Sequence, residues 1–125
     1  MTYAIDLPWP DKDLSQNARV HWSRRAKAVK AARTAASWLV RAGIPRRPDW
    51  KAVALSVVFH PPNRRRFDRD GLIGRMKALQ DGIADAIGVD DRHFIPTYAM
   101  GEPVKGGLVR VSLSQAHPVI VESVK

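Results

Sequence analysis

A chain of 125 residues, 45% hydrophobic and 26% charged, has the make-up of one globular domain, large enough for a core and too small for a deep cleft between two lobes. Its 21 Lys and Arg against 12 Asp and Glu give a formal charge of +9, which favours a polyanionic partner over a surface kept basic for solubility. The absence of cysteine excludes disulfide frameworks, thiol nucleophiles and thiolate zinc sites, and His21, His60, His93 and His117 form no close ligand pair.

Tyr3 to Leu7 alternates as a short strand, which Pro8-Trp9-Pro10 ends by withholding backbone donors. With Asp6 and two prolines, Met1 to Pro10 lacks the apolar core of a secretion signal, and no stretch approaches membrane-spanning length; a reducing, cytoplasmic address is expected. Asp11 to Val20 reads as polar loop. From Ser23 to Ala42 a helix is predicted, because Ala28, Val29, Ala32, Ala36, Leu39 and Val40 gather on one face; Gly43 and Pro45 stop it. Arg24, Lys27, Lys30, Arg33 and Arg41 lie off that stripe with no compensating Glu, either as a solvated surface or as a face for a polyanion.

Lys51 to Phe59 is apolar enough for a central strand, and Pro61 and Pro62 break it before the run Arg64-Arg65-Arg66-Phe67-Asp68-Arg69-Asp70. A second helix is predicted over Leu72 to Ile87, with Leu72, Met76, Leu79, Ile83 and Ile87 in one stripe and Lys77 and Asp81 as i,i+4 neighbours opposite it. Gly88 ends it, followed by Val89-Asp90-Asp91-Arg92. His93 to Met100 and Leu108 to Ser114 read as strands, with Gly101, Gly106 and Gly107 in the turn between them. In the last stretch, Ala116 to Lys125, Val119-Ile120-Val121 suits an edge strand or a tail crossing onto a partner. The expected fold is α+β: a single domain, residues 1–125, with a mixed or largely antiparallel sheet and two main helices packed on one face.

Asp68 and Asp70 would point to the same side of an extended segment and share a cation, and an oxygen-rich set of aspartates suits magnesium or manganese. If the strand after Asp90 and Asp91 lies beside Phe67–Asp70, one of that pair completes a triad able to activate water and neutralise a scissile phosphate. Lys77 would reach that phosphate or balance the carboxylates. The structural alternative gives Asp68 to Arg65 or Arg66, Asp70 to a helix cap and Asp90 to a turn. Two acidic clusters bracketing one amphipathic helix, with an arginine run against the first, favour the functional reading. Trp38 is expected as partial core and Phe67 as an inward anchor. Trp9 and Trp22, close to loops, are candidates for stacking on opened bases, and His93 is read as a strand residue before a ligand or phosphate contact.

At these residues the chain resembles the RusA family of Holliday junction resolvases, the crossover junction endodeoxyribonucleases of phage and prophage type. Leu7-Pro8-Trp9-Pro10, Arg64 to Gly71, the run Met76 to Ile87, Val89-Asp90-Asp91 and a glycine-marked hairpin at Lys105-Gly106-Gly107 carry the resemblance across nearly the whole chain. It implies a homodimer that binds four-way DNA junctions and nicks opposing strands symmetrically, using Mg2+ with Mn2+ able to substitute. Carried over, the catalytic residues are Asp68, Asp70, Asp91 and Lys77; the metal ligands are Asp68, Asp70 and Asp91, with Asp90 a lesser member. Asn17, Arg19, His21, Arg24, Lys27, Arg64, Arg65, Arg66 and Arg69 are the expected DNA contacts. Gly71 stands where members commonly have Asn, and the spacing from Asp70 to Lys77 is longer than in the best-known form. The apolar part of the second helix or the terminal strand is the expected dimer interface. The alternatives are a non-catalytic DNA-binding accessory protein and a nuclease for other branched nucleic acids.

Overall fold

The computed structural model describes residues 1–15 and 21–117. In chain order these form β1 (Thr2–Pro8), a 3-10 turn at Lys12–Leu14, α1 (Trp22–Gly43), β2 (Val53–His60), α2 (Arg69–Arg75), α3 (Lys77–Ile87), a 3-10 turn at Asp91–His93, β3 (Phe94–Met100) and β4 (Leu108–Gln115). The sheet order is β1-β4-β2-β3, with β4 antiparallel to both β1 and β2, and β2 parallel to β3. Pro96 sits in β3, where an edge strand tolerates a missing donor.

Alternation along the strands decides which side is core. Ile5 and Leu7, then Val53, Leu55, Val57 and Phe59, then Val109, Val111 and Leu113 are all buried in one cluster with the helices. The intervening residues face out, and there Arg110 grips its cross-strand partner Asp6 through two bonds of 2.8 and 3.1 Å. The domain is therefore α+β, a mixed and largely antiparallel sheet with helices packed against it.

Gly82 governs the packing of α1 on α3. A Cβ there would stand 2.3 Å from the backbone oxygen of Arg33 and 2.8 Å from the Cβ of Ala36, so the missing side chain is what lets the helices approach.

Several expectations change. The predicted second helix is two: α2 starts early, at Arg69, and the chain steps at Met76, whose N–H bonds Ile73 at i−3 (3.0 Å). Gly71 and Gly74 lower helix propensity on the α2 side of the step. The stripe of Leu72, Met76, Leu79, Ile83 and Ile87 survives it and is buried inside the chain, each side chain contributing about 1.5–3 kcal/mol. That stripe is core, so it is not the material of a dimer interface.

Asp68–Asp70 is not an extended segment, because α2 begins there, and β3 lies beside β2 rather than beside Phe67–Asp70. The Lys105–Gly107 turn joins no hairpin: β3 is parallel to β2, so the chain must cross back for β4 to enter between β1 and β2. Trp38 is 71% exposed rather than partial core. It falls two residues, about 200°, from the buried Ala36 on a helix that fully buries only Ala36 and Val40. Asn17, Arg19 and the Val119–Val121 segment lie outside the described residues.

Candidate functional site

The site is assembled along α3 by the chain that leaves its C-terminal end. Gly88 takes a left-handed conformation (φ 72°) open to glycine at little cost, and it turns the chain back along the helix. Val89 buries, and Asp90 then caps the 3-10 turn, its Oδ1 accepting the Arg92 N–H at 3.0 Å. This sets Asp91 beside residues a helix-length earlier in sequence. Lys77 Nζ donates to Asp91 Oδ2 at 2.6 Å and stands 3.2 Å from Asp81 Oδ1.

The charges reinforce one another. The Lys77 ammonium bonded to Asp91 holds that carboxyl below its usual range, against a desolvation that pushes it up, with smaller help from bonds to Asp90 and Asp81. Lys77 is raised in turn, first by Asp91 and then by Asp81. At neutral pH, Asp91 is a carboxylate and Lys77 a cation.

Beside this cluster lies an open hollow of about 440 Å³ lined by Arg33, Asp81, Asp85, Asp90 and Asp91. Arg33 reaches it from α1 and grips Asp85 through Nε and Nη2 at 2.6 and 2.9 Å, which holds the Asp85 carboxyl low. A patch of carboxylates is thus set into a chain of net charge +9.

The other acidic cluster stands at the head of α2. Asp68 is the N-cap, its Oδ1 accepting the Asp70 N–H at 3.2 Å, and Asp70 is exposed in the first turn. Among the described residues, no hydrogen bond or ion pair joins Asp68 or Asp70 to Lys77, Asp81, Asp90 or Asp91. Nor, among them, does any group of three or more His, Asp or Glu side chains stand close enough to hold a metal ion. Of the structural alternative, Asp90 takes its turn role, whereas the helix cap falls to Asp68 rather than Asp70, and among the described residues Asp68 makes no ion pair with Arg65 or Arg66.

The basic residues divide in two. Arg64, Arg65, Arg66 and Arg69 are exposed and, among the described residues, outside any ion pair; Phe67 anchors their loop by packing edge-on against Trp9 (5.3 Å, 70°). Trp9 also meets Phe59, so it belongs to the core margin rather than to a stacking surface. On α1, Arg24 bonds Asp13 Oδ2 at 2.9 Å and Arg33 bonds Asp85, so two members of this row are compensated by carboxylates from elsewhere in the chain, which the helix sequence alone conceals. Lys27 is exposed, and His21 caps α1 with its Nδ1 against Ser23 (2.6 Å to Oγ, 3.3 Å to N). His93 lies in the turn before β3 rather than in a strand, accepting from Arg92 at 3.2 Å.

Asp81, Asp85 and Arg33 are the site residues that sequence reasoning did not select. The Lys77–Asp81 spacing of four was the signal for the first; Arg33–Asp85, 52 residues apart, left none.

No protein-family model matches the chain. It is similar to a protein of Xylella fastidiosa (strain Temecula1 / ATCC 700964) described only as uncharacterized, 47% identical over 100 residues covering 74% of this chain. The match spans 62% of that relative's length. Among the described residues, no helix is long and apolar enough to cross a membrane.

Proposed function

We propose that this chain is a magnesium-dependent endonuclease that resolves four-way DNA junctions by paired symmetric nicks, acting as a homodimer in the cytoplasm of a bacterial host, in phage or prophage recombination. The observation that carries this reading is the seat of Lys77 between two carboxylates, Asp91 and Asp81, on the rim of an acidic hollow in a strongly basic chain. Two carboxylates that already embrace one cation form an oxygen donor set, and magnesium is held by one or two carboxylates together with waters and substrate phosphate. By this fit Asp91 and Asp81 would hold the ion, with Asp90 next to Asp91 in sequence. Asp68 and Asp70, which the resemblance adds to the ligands, stand at the head of α2.

A bound dication would supply charge for the scissile phosphate and lower the pKa of a water. Lys77 would donate to a phosphate oxygen as it donates to Asp91, a lysine ammonium being protonated at neutral pH without any help from its neighbours. The exposed Arg64, Arg65 and Arg66 hold the flanking backbone. A two-fold dimer presents two such sites to the symmetry-related strands of a junction.

A second reading, a DNA-binding accessory protein, draws on the capping roles of Asp68 and Asp90. The separating experiment incubates wild type, Asp70→Asn and Asp91→Asn with labelled four-way junction and linear duplex, with and without magnesium. Expected are ligatable paired nicks in the junction with wild type and magnesium only, and retained binding without cleavage in both variants. Junction binding with no nick by the wild type would establish the accessory reading. Magnesium-dependent cleavage without preference for four-way junctions would instead mark a nuclease for other branched nucleic acids.

A further inference from the structure

Trp22 is 75% exposed at the first turn of α1, an unusual position for the largest apolar side chain. Its ring leans on His21 (centroids 5.5 Å apart, 34° between planes), which steadies it while leaving most of its surface open. Beside it one face of α1 lines an open groove of about 500 Å³, with Trp22, Ala26 and Val29 as its apolar residues and Arg25, Lys30 and Arg33 as its basic ones.

The groove leads to the carboxylate cluster. Arg25 and Val29 also line the small recess shared with Lys77 and Asp81, and Arg33 also lines the acidic hollow. One track therefore passes from Trp22 to Lys77. Arg25 is spent on the backbone carbonyls of Asp13 and Ser15, and among the described residues no carboxylate pairs with its charge. Lys30 is exposed and, among the described residues, makes no ion pair.

We infer that this groove binds an unpaired nucleic-acid strand, with Trp22 as the platform on which a base stacks and Arg25 and Lys30 as the contacts to its phosphates. Apolar and basic residues side by side match a strand that offers flat base faces on one side and anionic phosphates on the other; a duplex keeps its base faces stacked away. Seven residues of helix separate Trp22 from Val29, about 10 Å, which spans about three stacked nucleotides. A base on Trp22 thus lies a few nucleotides from the phosphate at Lys77. This names the strand state taken by the site proposed above and rests on that reading for its orientation, while the binding itself requires no cleavage.

The test measures fluorescence anisotropy in EDTA with a labelled oligothymidylate of about 12 nucleotides, within the usual site size of a single-strand groove, and with a duplex of equal length. Trp22→Ala, Trp22→Phe and, as an exposed-tryptophan control, Trp38→Ala are compared with wild type, each checked by circular dichroism for unchanged folding. Trp22→Ala should weaken oligothymidylate binding about 5- to 100-fold and duplex binding less than about 2-fold. Trp22→Phe should restore most of the loss, and Trp38→Ala should change nothing. Equal losses on both probes, no binding of oligothymidylate by wild type, or a changed oligomeric state with unchanged binding would each overturn the inference. A Trp22 effect in a chain that never nicks junctions leaves the platform standing and the nuclease reading fallen; nicking without a Trp22 effect does the reverse.

Discussion

Substituting alanine for Gly82 tests the close approach of α1 and α3 on which the acidic hollow depends. The new Cβ would meet the Arg33 carbonyl oxygen at 2.3 Å and the Ala36 Cβ at 2.8 Å. Ordinary contacts require the helices to separate by about 1 Å, and overpacking of this kind costs about 1–3 kcal/mol. The obstacle is backbone rather than a side-chain tip, so the upper half of that range applies. Alanine returns about 1 kcal/mol of helix propensity, leaving Gly82→Ala less stable by about 1–2 kcal/mol. For a domain of this size that lowers Tm by about 3–10 °C. Gly74 supplies the internal control: it is helical, and a Cβ there meets nothing within 4 Å. Gly74→Ala should therefore gain about 0.5–1 kcal/mol and raise Tm by about 2–5 °C. Thermal unfolding followed by circular dichroism reads both. If Gly82→Ala stabilises as much as Gly74→Ala, the helices are not in the contact described, and the seating of Arg33 against Asp85 loses its basis.

Two further outcomes are expected. Replacing Arg64, Arg65 and Arg66 together by alanine should flatten the dependence of log K for duplex DNA on log salt by about 2–3, because each phosphate that an arginine neutralises adds about 0.9 to the slope; an unchanged slope would remove these residues from the interface. The carboxyls of Asp6, Asp85 and Asp91 are held low by Arg110, Arg33 and Lys77 respectively. A folded pKa below the unfolded value gives stability that is complete above the unfolded value and is lost as pH falls through the folded one. Tm should therefore drop on acidification from about pH 5 downward, and Asp6→Asn and Asp85→Asn should each make that acid limb shallower. An identical limb in wild type and both variants would show the pairs to be unformed in solution.

Much of the fold is written in local pattern. Alternation at Tyr3–Leu7, the apolar run before Pro61 and the 3.6-residue stripes locate strands and helices to within a few residues, because burial on one face imposes its period wherever the element lies. The same logic marks Phe67 as an inward anchor. It fails at Trp38, since a helix that buries a narrow stripe leaves no room for every apolar residue near it. The break at Met76 leaves no trace in the periodicity because the buried stripe runs on across it.

The sequence by itself determined the α+β class, the order of elements, the positive field and the presence of carboxylates on either side of one helical stretch. Tertiary structure decided which of those carboxylates meet. Asp91 reaches Lys77 and Asp81 only because Gly88 reverses the chain, and Arg33 finds Asp85 only because Gly82 lets two helices touch. Periodicity reports which face of an element is buried, whereas the partners on that face are set by chain reversals and interhelix distances, to which residues far apart in sequence contribute jointly.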